Sequence, residues 1–229
     1  MARKPARAKA STPVPPTGSD RERIIAAMMA LLAETSFEKV GLAEVAARAG
    51  VSLGTLRGEF GSTLAILAAH QKEIDRRVLG GIDADMAQEP PRERLFDVLM
   101  RRIDVLSPHK AAVRSLMHSA ARNPGLALAL NGLAVRSQQW MLTAADIPAS
   151  GPRGALRAQG LALLFASVLR TWLHDDDPGL ARTMSALDRA LARGQRVAGL
   201  LDDLCRIPAS VCRIRPRRHR DADEDTIAA

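Results

Sequence analysis

The stretch LAEVAARAGVSLGTLRGEFGSTLAIL, residues 42–67, decides the fold. It reads as two short helices joined by a Gly-Val-Ser turn, with a third helix starting at Ser62. Leu42, Val45, Ala46 and Ala49 recur at the i, i+3, i+4, i+7 spacing of one apolar helix face. Gly50 is the residue type that ends a helix in the left-handed region, and Ser52 carries the side-chain oxygen that caps the next one. Val51 between them is expected to be a buried plug. Leu56 and Phe60, four apart, turn inward, which leaves Leu53, Gly54, Thr55, Arg57, Gly58 and Glu59 for the outer surface. Gly54 and Gly58 each cost about 1 kcal/mol relative to alanine in a helix, a cost that close approach of the backbone to another surface would explain. The spacing is that of a helix-turn-helix, whose second helix enters a DNA major groove. A plain helical core can also hold an Ala-Gly-Val-Ser corner, but turn, cap and spacing together favour DNA.

Working outward, Ser19 and Glu22 form a capping box ahead of an apolar pattern of Ile24, Ile25, Met28, Met29, Leu31 and Leu32. Ser62 caps a long fourth helix that ends near Gly80-Gly81. Pro90-Pro91 opens a fifth and Ser107-Pro108 a sixth. Asn123-Pro124-Gly125 precedes a seventh over 126–145, and two more follow over about 154–174 and 178–204. About nine helices and no alternating strand pattern make the chain all-α. The expected organisation is a basic arm over 1–18, a helix-turn-helix head over 19–66, a helical body over 67–206, and a basic then acidic tail over 207–229.

Apolar residues make up 47% of the 229 and aromatics only 3%, so the core is built from Leu, Ala, Val and Met, a composition that favours helices. Ten basic and four acidic residues lie at the two ends, which leaves only +2 of the net +8 for the body. Such arms either add salt-sensitive phosphate affinity or act as solubilising tails. Cys205 and Cys212 stand without a secretory signal or a zinc-type Cys/His spacing, so neither a disulfide nor a metal site is expected. No run of about 18 apolar residues exists, so no transmembrane segment is expected and the cytoplasm is the expected compartment. There is no Ser/His/Asp set, nucleophile elbow or phosphate loop, so neither an enzyme nor a cofactor is expected.

Residues 45–67, V-A-A-R-A-G-V-S-L-G-T-L-R-G-E-F-G-S-T-L-A-I-L, resemble the TetR family of bacterial repressors, whose pattern here is I-A-x-x-A-G-V-S-x-G-T-L-Y-x-H-F-x-S-K-E-x-L. The match is specific over Val45–Leu56, Phe60 and Ser62, and the helix over 20–34 also fits. The resemblance implies a three-helix head on a helical body, a homodimer on double-stranded DNA, and modulation by a small apolar effector. Thr55 and Arg57 are the residues expected to carry base or groove contact, with Arg48, Ser52, Leu53 and Gly54 setting the helix against the backbone. In that family the positions of Gly41, Arg57 and Thr63 usually hold threonine, tyrosine and lysine that reach phosphates. Gly41 and Thr63 thus remove two contacts, Arg57 replaces a phenol with a guanidinium, and Glu59 brings a charge that repels phosphate.

In the body, Leu156, Leu163, Leu164, Val168, Leu169 and Trp172, followed by Leu180, Met184, Leu187, Leu191, Ala198 and Leu201, form one long stripe. It is either ordinary core or a dimer interface through the last two long helices, as the resemblance implies. Phe96, Met100, Met117, Trp140, Met141, Phe165 and Trp172, with Met86 and Leu116, are the residues expected to line an apolar effector pocket, with plain core packing as the competing assignment. Asp177 is expected to cap the last helix with Pro178 in its first position, rather than join Asp175 and Asp176 in a metal site. His109 and His118 are expected at the surface or as caps.

The back half supports a second resemblance. RRIDVLSPHKAAVRSLM and TWLHDDDPGLARTMSALDRAL are similar to the lipid-binding proteins of ubiquinone biosynthesis that share the TetR fold. Those proteins lose DNA binding, hold an isoprenoid lipid in the body and press a C-terminal amphipathic helix onto membrane. Residues 195–214 carry Leu200, Leu201, Leu204, Ile207, Val211 and Ile214 beside arginines, a pattern suited to an anionic surface but interrupted by Pro208.

Overall fold

The computed structural model describes residues 18–206, which form nine α-helices and no strand. The head is α1 (Asp20–Glu34), α2 (Leu42–Ala49) and α3 (Leu53–Glu59). The body follows as α4 (Thr63–Gly80), α5 (Pro91–Leu106), α6 (Lys110–Arg122), α7 (Pro124–Ala144), α8 (Gly151–Leu173) and α9 (Ala181–Arg206).

Helix starts follow the polar residues ahead of them. The Ser19 hydroxyl accepts from the Glu22 N–H at 3.3 Å while the Glu22 carboxylate accepts from the Ser19 N–H at 2.9 Å, closing the capping box. Ser62 accepts from the Ala65 N–H at 3.1 Å, and Asn123 from the Leu126 N–H at 3.0 Å. α7 and α8 start a few residues earlier than expected, at Pro124 and Gly151, and two further starts differ in how they are held. Ser107 does not cap α6: its hydroxyl donates back to the Ile103 carbonyl at 3.0 Å, and a 3-10 turn over Ser107–His109 intervenes. The last helix begins at Ala181, not Pro178, because Leu180 passes through φ +52° first. Asp177 accepts from the N–H groups of Gly179 at 3.1 Å and Ala181 at 3.3 Å, holding the turn. The first helical turn is instead held by the buried Asp175 carboxylate, which accepts from the Thr183 N–H at 2.9 Å and hydroxyl at 2.7 Å.

Two apolar clusters form. Ile24, Met28, Leu32, Val45, Leu56, Phe60 and Ile66 pack in the head, joined by Ala112 of α6. Ile74, Val78, Leu99, Ile103, Met141, Phe165, Trp172 and Leu187 pack in the body. α4 serves both, giving Ile66 and Leu67 to one and Ile74 and Val78 to the other. α6 adds a second tie: the Phe37 N–H donates to the Ser119 hydroxyl at 3.2 Å, and the Ser115 hydroxyl donates to the Thr35 carbonyl at 2.7 Å. Head and body are therefore tied through both α4 and α6.

The long stripe of α8 and α9 separates into two. Val168, Trp172, Leu187 and Leu191 are buried in the chain's own core, and Leu164, Leu169 and Leu180 are half-buried against it. Leu156, Leu163 and Met184 face outward, 56%, 61% and 38% exposed. Ala198, Leu201, the terminal arms, both cysteines and all but the first two residues of the amphipathic segment over 195–214 lie outside the described side chains.

Of the expected pocket residues, Met141, Phe165 and Trp172 are fully buried, and Phe96, Met100 and Met117 are half-buried against the same cluster. Trp140 is not among them. The inward face of α7 runs through Ser137, Gln138, Met141 and Leu142, and Trp140 is 60% exposed on the other side. Gly154 is fixed by packing rather than torsion: a Cβ there would lie 2.1 Å from the Ala149 carbonyl carbon, so only glycine lets the chain reverse tightly into α8. Among the described residues, no helix is long and apolar enough to cross a membrane.

Candidate nucleic-acid interface

The turn between α2 and α3 is built from backbone hydrogen bonds that its sequence makes available. Gly50 takes φ +66°, ψ +36°, a conformation nearly free for glycine and strained for other residues. There its N–H donates to the Ala47 carbonyl at 3.2 Å, and the Val51 N–H to the Ala46 carbonyl at 3.0 Å, satisfying the end of α2. Val51 is half-buried against the head cluster. Val45, Ala46 and Ala49 are buried as the spacing requires, while Leu42 at the helix start is 36% exposed.

Ser52 then caps α3. Its hydroxyl oxygen accepts from the Thr55 N–H at 2.9 Å and shares a second hydrogen bond of 2.9 Å with the Thr55 hydroxyl. The second bond holds the Thr55 side chain in one orientation, with the residue half-buried beside the cap. Leu56 and Phe60, 2% and 4% exposed, anchor α3 and its C-terminal end to the head. Everything else on α3 faces out: Leu53 is 57% exposed, and Gly54, Arg57, Gly58 and Glu59 are exposed. A seven-residue helix is marginal alone. Here the cap and two anchors hold it as a rod with one open side.

The charges around the rod are arranged in ways the local sequence does not show. Arg48 is already engaged: its two terminal nitrogens donate to the Glu34 carboxylate at 2.8 and 2.7 Å, and this fork holds the Glu34 carboxyl below its ordinary value. Arg48 can meet a phosphate only by giving up part of that pair. Glu59 is offset by Arg21 of α1 at 3.7 Å, whose guanidinium also lies 4.8 Å over the Phe60 ring. No sequence signal singled out Arg21, because its role comes from α1 crossing the end of α3. Arg57 is exposed with no carboxylate partner among the described residues. Gly41 leaves open space where a side chain would stand, with no atom within 4 Å of a Cβ, and its N–H donates to Glu44 at 3.4 Å. A small open socket beside the N-terminus of α2 therefore replaces the threonine usual in the resembling family.

Among the described residues, no group of three or more His, Cys, Asp or Glu is placed to hold a metal ion. His118 is exposed, and His109 stands at the N-cap position of α6 without a side-chain cap hydrogen bond. It is half-buried, and its ring meets that of His70 edge-on, centroids 4.7 Å apart at 89°.

An outward rod on a three-helix head, joined to an all-helical body, defines a helix-turn-helix architecture. Residues 24–70 match the model of the family described as bacterial regulatory proteins, tetR family. In structure, the chain is similar to a TetR transcriptional regulator from Nitrosomonas europaea, with 23% identity, TM-score 0.61, and 78% of this chain and 99% of that one covered. A TetR regulator from Rhodococcus sp. RHA1 is 26% identical with TM-score 0.55, covering 76% of this chain and 95% of that one. A tetR-family regulator from Streptomyces coelicolor shares 19% identity at TM-score 0.53, covering 81% and 84%. No curated protein matches. The head thus matches the tetR family model over residues 24–70, and the chain as a whole has the fold of the solved TetR-family structures.

Proposed function

We propose that this chain is a DNA-binding transcriptional regulator of the TetR type, acting as a homodimeric repressor in the cytoplasm. The observation that carries the reading is α3. It is fixed from behind by Leu56 and Phe60, capped by Ser52, and open along Leu53, Gly54, Arg57 and Gly58. Thr55 and Arg57 read the groove, with Arg57 supplying a guanidinium suited to a guanine edge or a phosphate. Ser52, Leu53, Gly54 and Arg48 set the helix against the backbone. Pairing through the outer edges of α8 and α9 is supported by the exposed Leu156, Leu163 and Met184, apolar residues otherwise left in water. A small apolar effector is the expected modulator, entering near the half-buried Phe96, Met100 and Met117 and the core residues Met141, Phe165 and Trp172. The complete cap-turn-cap geometry and the family match over 24–70 favour this reading over a lipid-binding protein with a lost head.

The test is selection of genomic fragments with the purified protein, with mass spectrometry of co-purifying lipid. Enriched palindromes are expected, with affinity that falls steeply as salt rises. Arg57→Ala should weaken the selected site by about 1–3 kcal/mol. A bound quinone precursor with no enriched DNA would overturn the proposal in favour of the lipid-binding alternative.

A further inference from the structure

A cleft of about 880 Å³ opens between α1 and the middle of α4, on the seam where head meets body. Its size is that of a small-molecule site, larger than a bare inorganic ion needs. The floor is apolar and shallow, formed by Ala26, Ala30 and Ala69. The α4 wall is cationic, with Lys72, Arg76 and Arg77 against one carboxylate, Glu73. Arg76 donates to Glu73 at 3.0 and 2.8 Å and Arg77 at 2.9 Å, so two guanidinium groups share one carboxylate. The Glu73 carboxyl is accordingly held down at about 2 by those hydrogen bonds. Lys72 has no ion pair among the described residues. The other acid lining the cleft, Glu22, accepts from the Ser19 N–H in the capping box and sets one further negative charge against Arg76, which leaves three cations of α4 facing two carboxylates.

The remaining charges are accounted for: Arg23 is paired through its terminal nitrogen with Asp20, Arg48 with Glu34, and Arg21 with Glu59. What remains unmatched is the excess positive charge of α4, beside an apolar floor. Guanidinium forks with an ammonium favour phosphate over a single carboxylate, since a phosphoryl group offers enough acceptors for all of them.

We propose that this cleft binds an organic phosphate, a nucleotide-like molecule whose phosphates lie against Lys72, Arg76 and Arg77 and whose less polar part lies on the alanine floor. The molecule would touch α1 of the head and α4 of the body at once, fixing the angle between them. Any effect on DNA affinity must then be reciprocal with an effect of DNA on phosphate binding. Binding itself needs only the cleft; the coupling rests on the DNA-binding reading above, and the two are measured separately.

The probe is ATP without added metal, titrated calorimetrically into the full-length protein, with inorganic pyrophosphate as the second probe. Saturable binding of one ATP per chain is expected, with pyrophosphate weaker because it leaves the floor uncovered. Lys72→Glu and the double change Arg76→Ala with Arg77→Ala, all at exposed positions, should each weaken ATP by roughly tenfold or more. Changing Arg213, Arg215, Arg217 and Arg218 to alanine should leave it unchanged. No saturable ATP binding, ATP affinity unchanged in both cleft variants, or loss confined to the tail variant would each overturn the proposal. Affinity for a selected DNA fragment, with and without saturating ATP, then reads the coupling. A protein that binds ATP but no DNA keeps the site and loses only the coupling.

Discussion

The head and the body solve the same packing problem with different interiors. Among the described residues, every buried polar or charged side chain lies at position 75 or beyond: Asp75, Arg102, Ser119, Ser137, Gln138, Asp175 and Thr183. The head interior is purely apolar, and its ionic contacts (Arg48 with Glu34, Arg21 with Glu59) lie on the outside. In the body, Arg102 of α5 donates to Asp75 of α4, the Ser137 hydroxyl of α7 donates to the same carboxylate oxygen at 2.6 Å, and the guanidinium lies 5.7 Å from the Phe165 ring. Gln138 Oε1 is buried without a partner nearby. A buried ion pair seldom adds net stability, but breaking one is expensive, so it restricts how the helices can be arranged. The comparison teaches that the head is a small apolar scaffold whose chemistry points outward. The body keeps polar groups inside, where a change of helix packing must re-pair them.

The largest effect should come from breaking the buried pair. Asp75→Ala leaves Arg102 buried without a counter-charge and is expected to cost about 3–5 kcal/mol in urea unfolding followed by tryptophan fluorescence. Asp75→Leu combined with Arg102→Met should recover most of the loss. A single-variant loss under about 1 kcal/mol would mean the pair is better hydrated than its 9% and 6% exposure implies, and the contrast with the head would weaken.

The seam between the two regions should show itself through pH. Burial, then His109, Arg77 and Arg102, push His70 down to about 4 from an ordinary 6.5, with Glu73 opposing. Burial and then Arg77 push His109 down as well. Between those two values the unfolded chain takes up a proton that the folded His70 refuses, so stability is full above 6.5 and falls as pH drops toward 4. Urea midpoints at several pH values should show that decline, and His70→Gln should flatten it. An equally steep decline in the variant would move its cause elsewhere.

The smallest effect sharpens the reading of the outward face. A Cβ at Gly58 would meet nothing within 4 Å, so Gly58→Ala should stabilise the head by about 1 kcal/mol. If the glycine serves close approach to DNA, affinity for the selected fragment should fall while the thermal midpoint rises. A variant that gains stability and keeps its affinity would show that the duplex does not need the space.

Much of the head was legible because its determinants are local. The Gly50 corner, the Ser52 and Ser62 caps and the inward pair Leu56 and Phe60 each depend on residues within about a turn of one another, and all stand as their spacing requires. The periodicity of α8 marked apolar positions correctly but not which surface covers them. Val168 and Trp172 went to the chain's own core, while Leu156 and Leu163 stayed outside. Trp140 failed for a related reason: an aromatic in a helix is not thereby on its inner face. The position of Arg48 was legible but its engagement by Glu34 was not, because the two helices meet only once folded.

The nine helices of the described residues, most of their boundaries and the helix-turn-helix are legible along the chain, because caps, glycine torsions and 3.6-residue periodicity act within a few residues. Only packing between whole helices settles which polar groups meet. Asp75 meets Arg102, His70 meets His109 and Arg21 meets Glu59 across separate helices. It likewise formed the cationic cleft between α1 and α4. Such pairings depend on how whole helices cross, a choice made by the sum of many apolar contacts and written in no single segment.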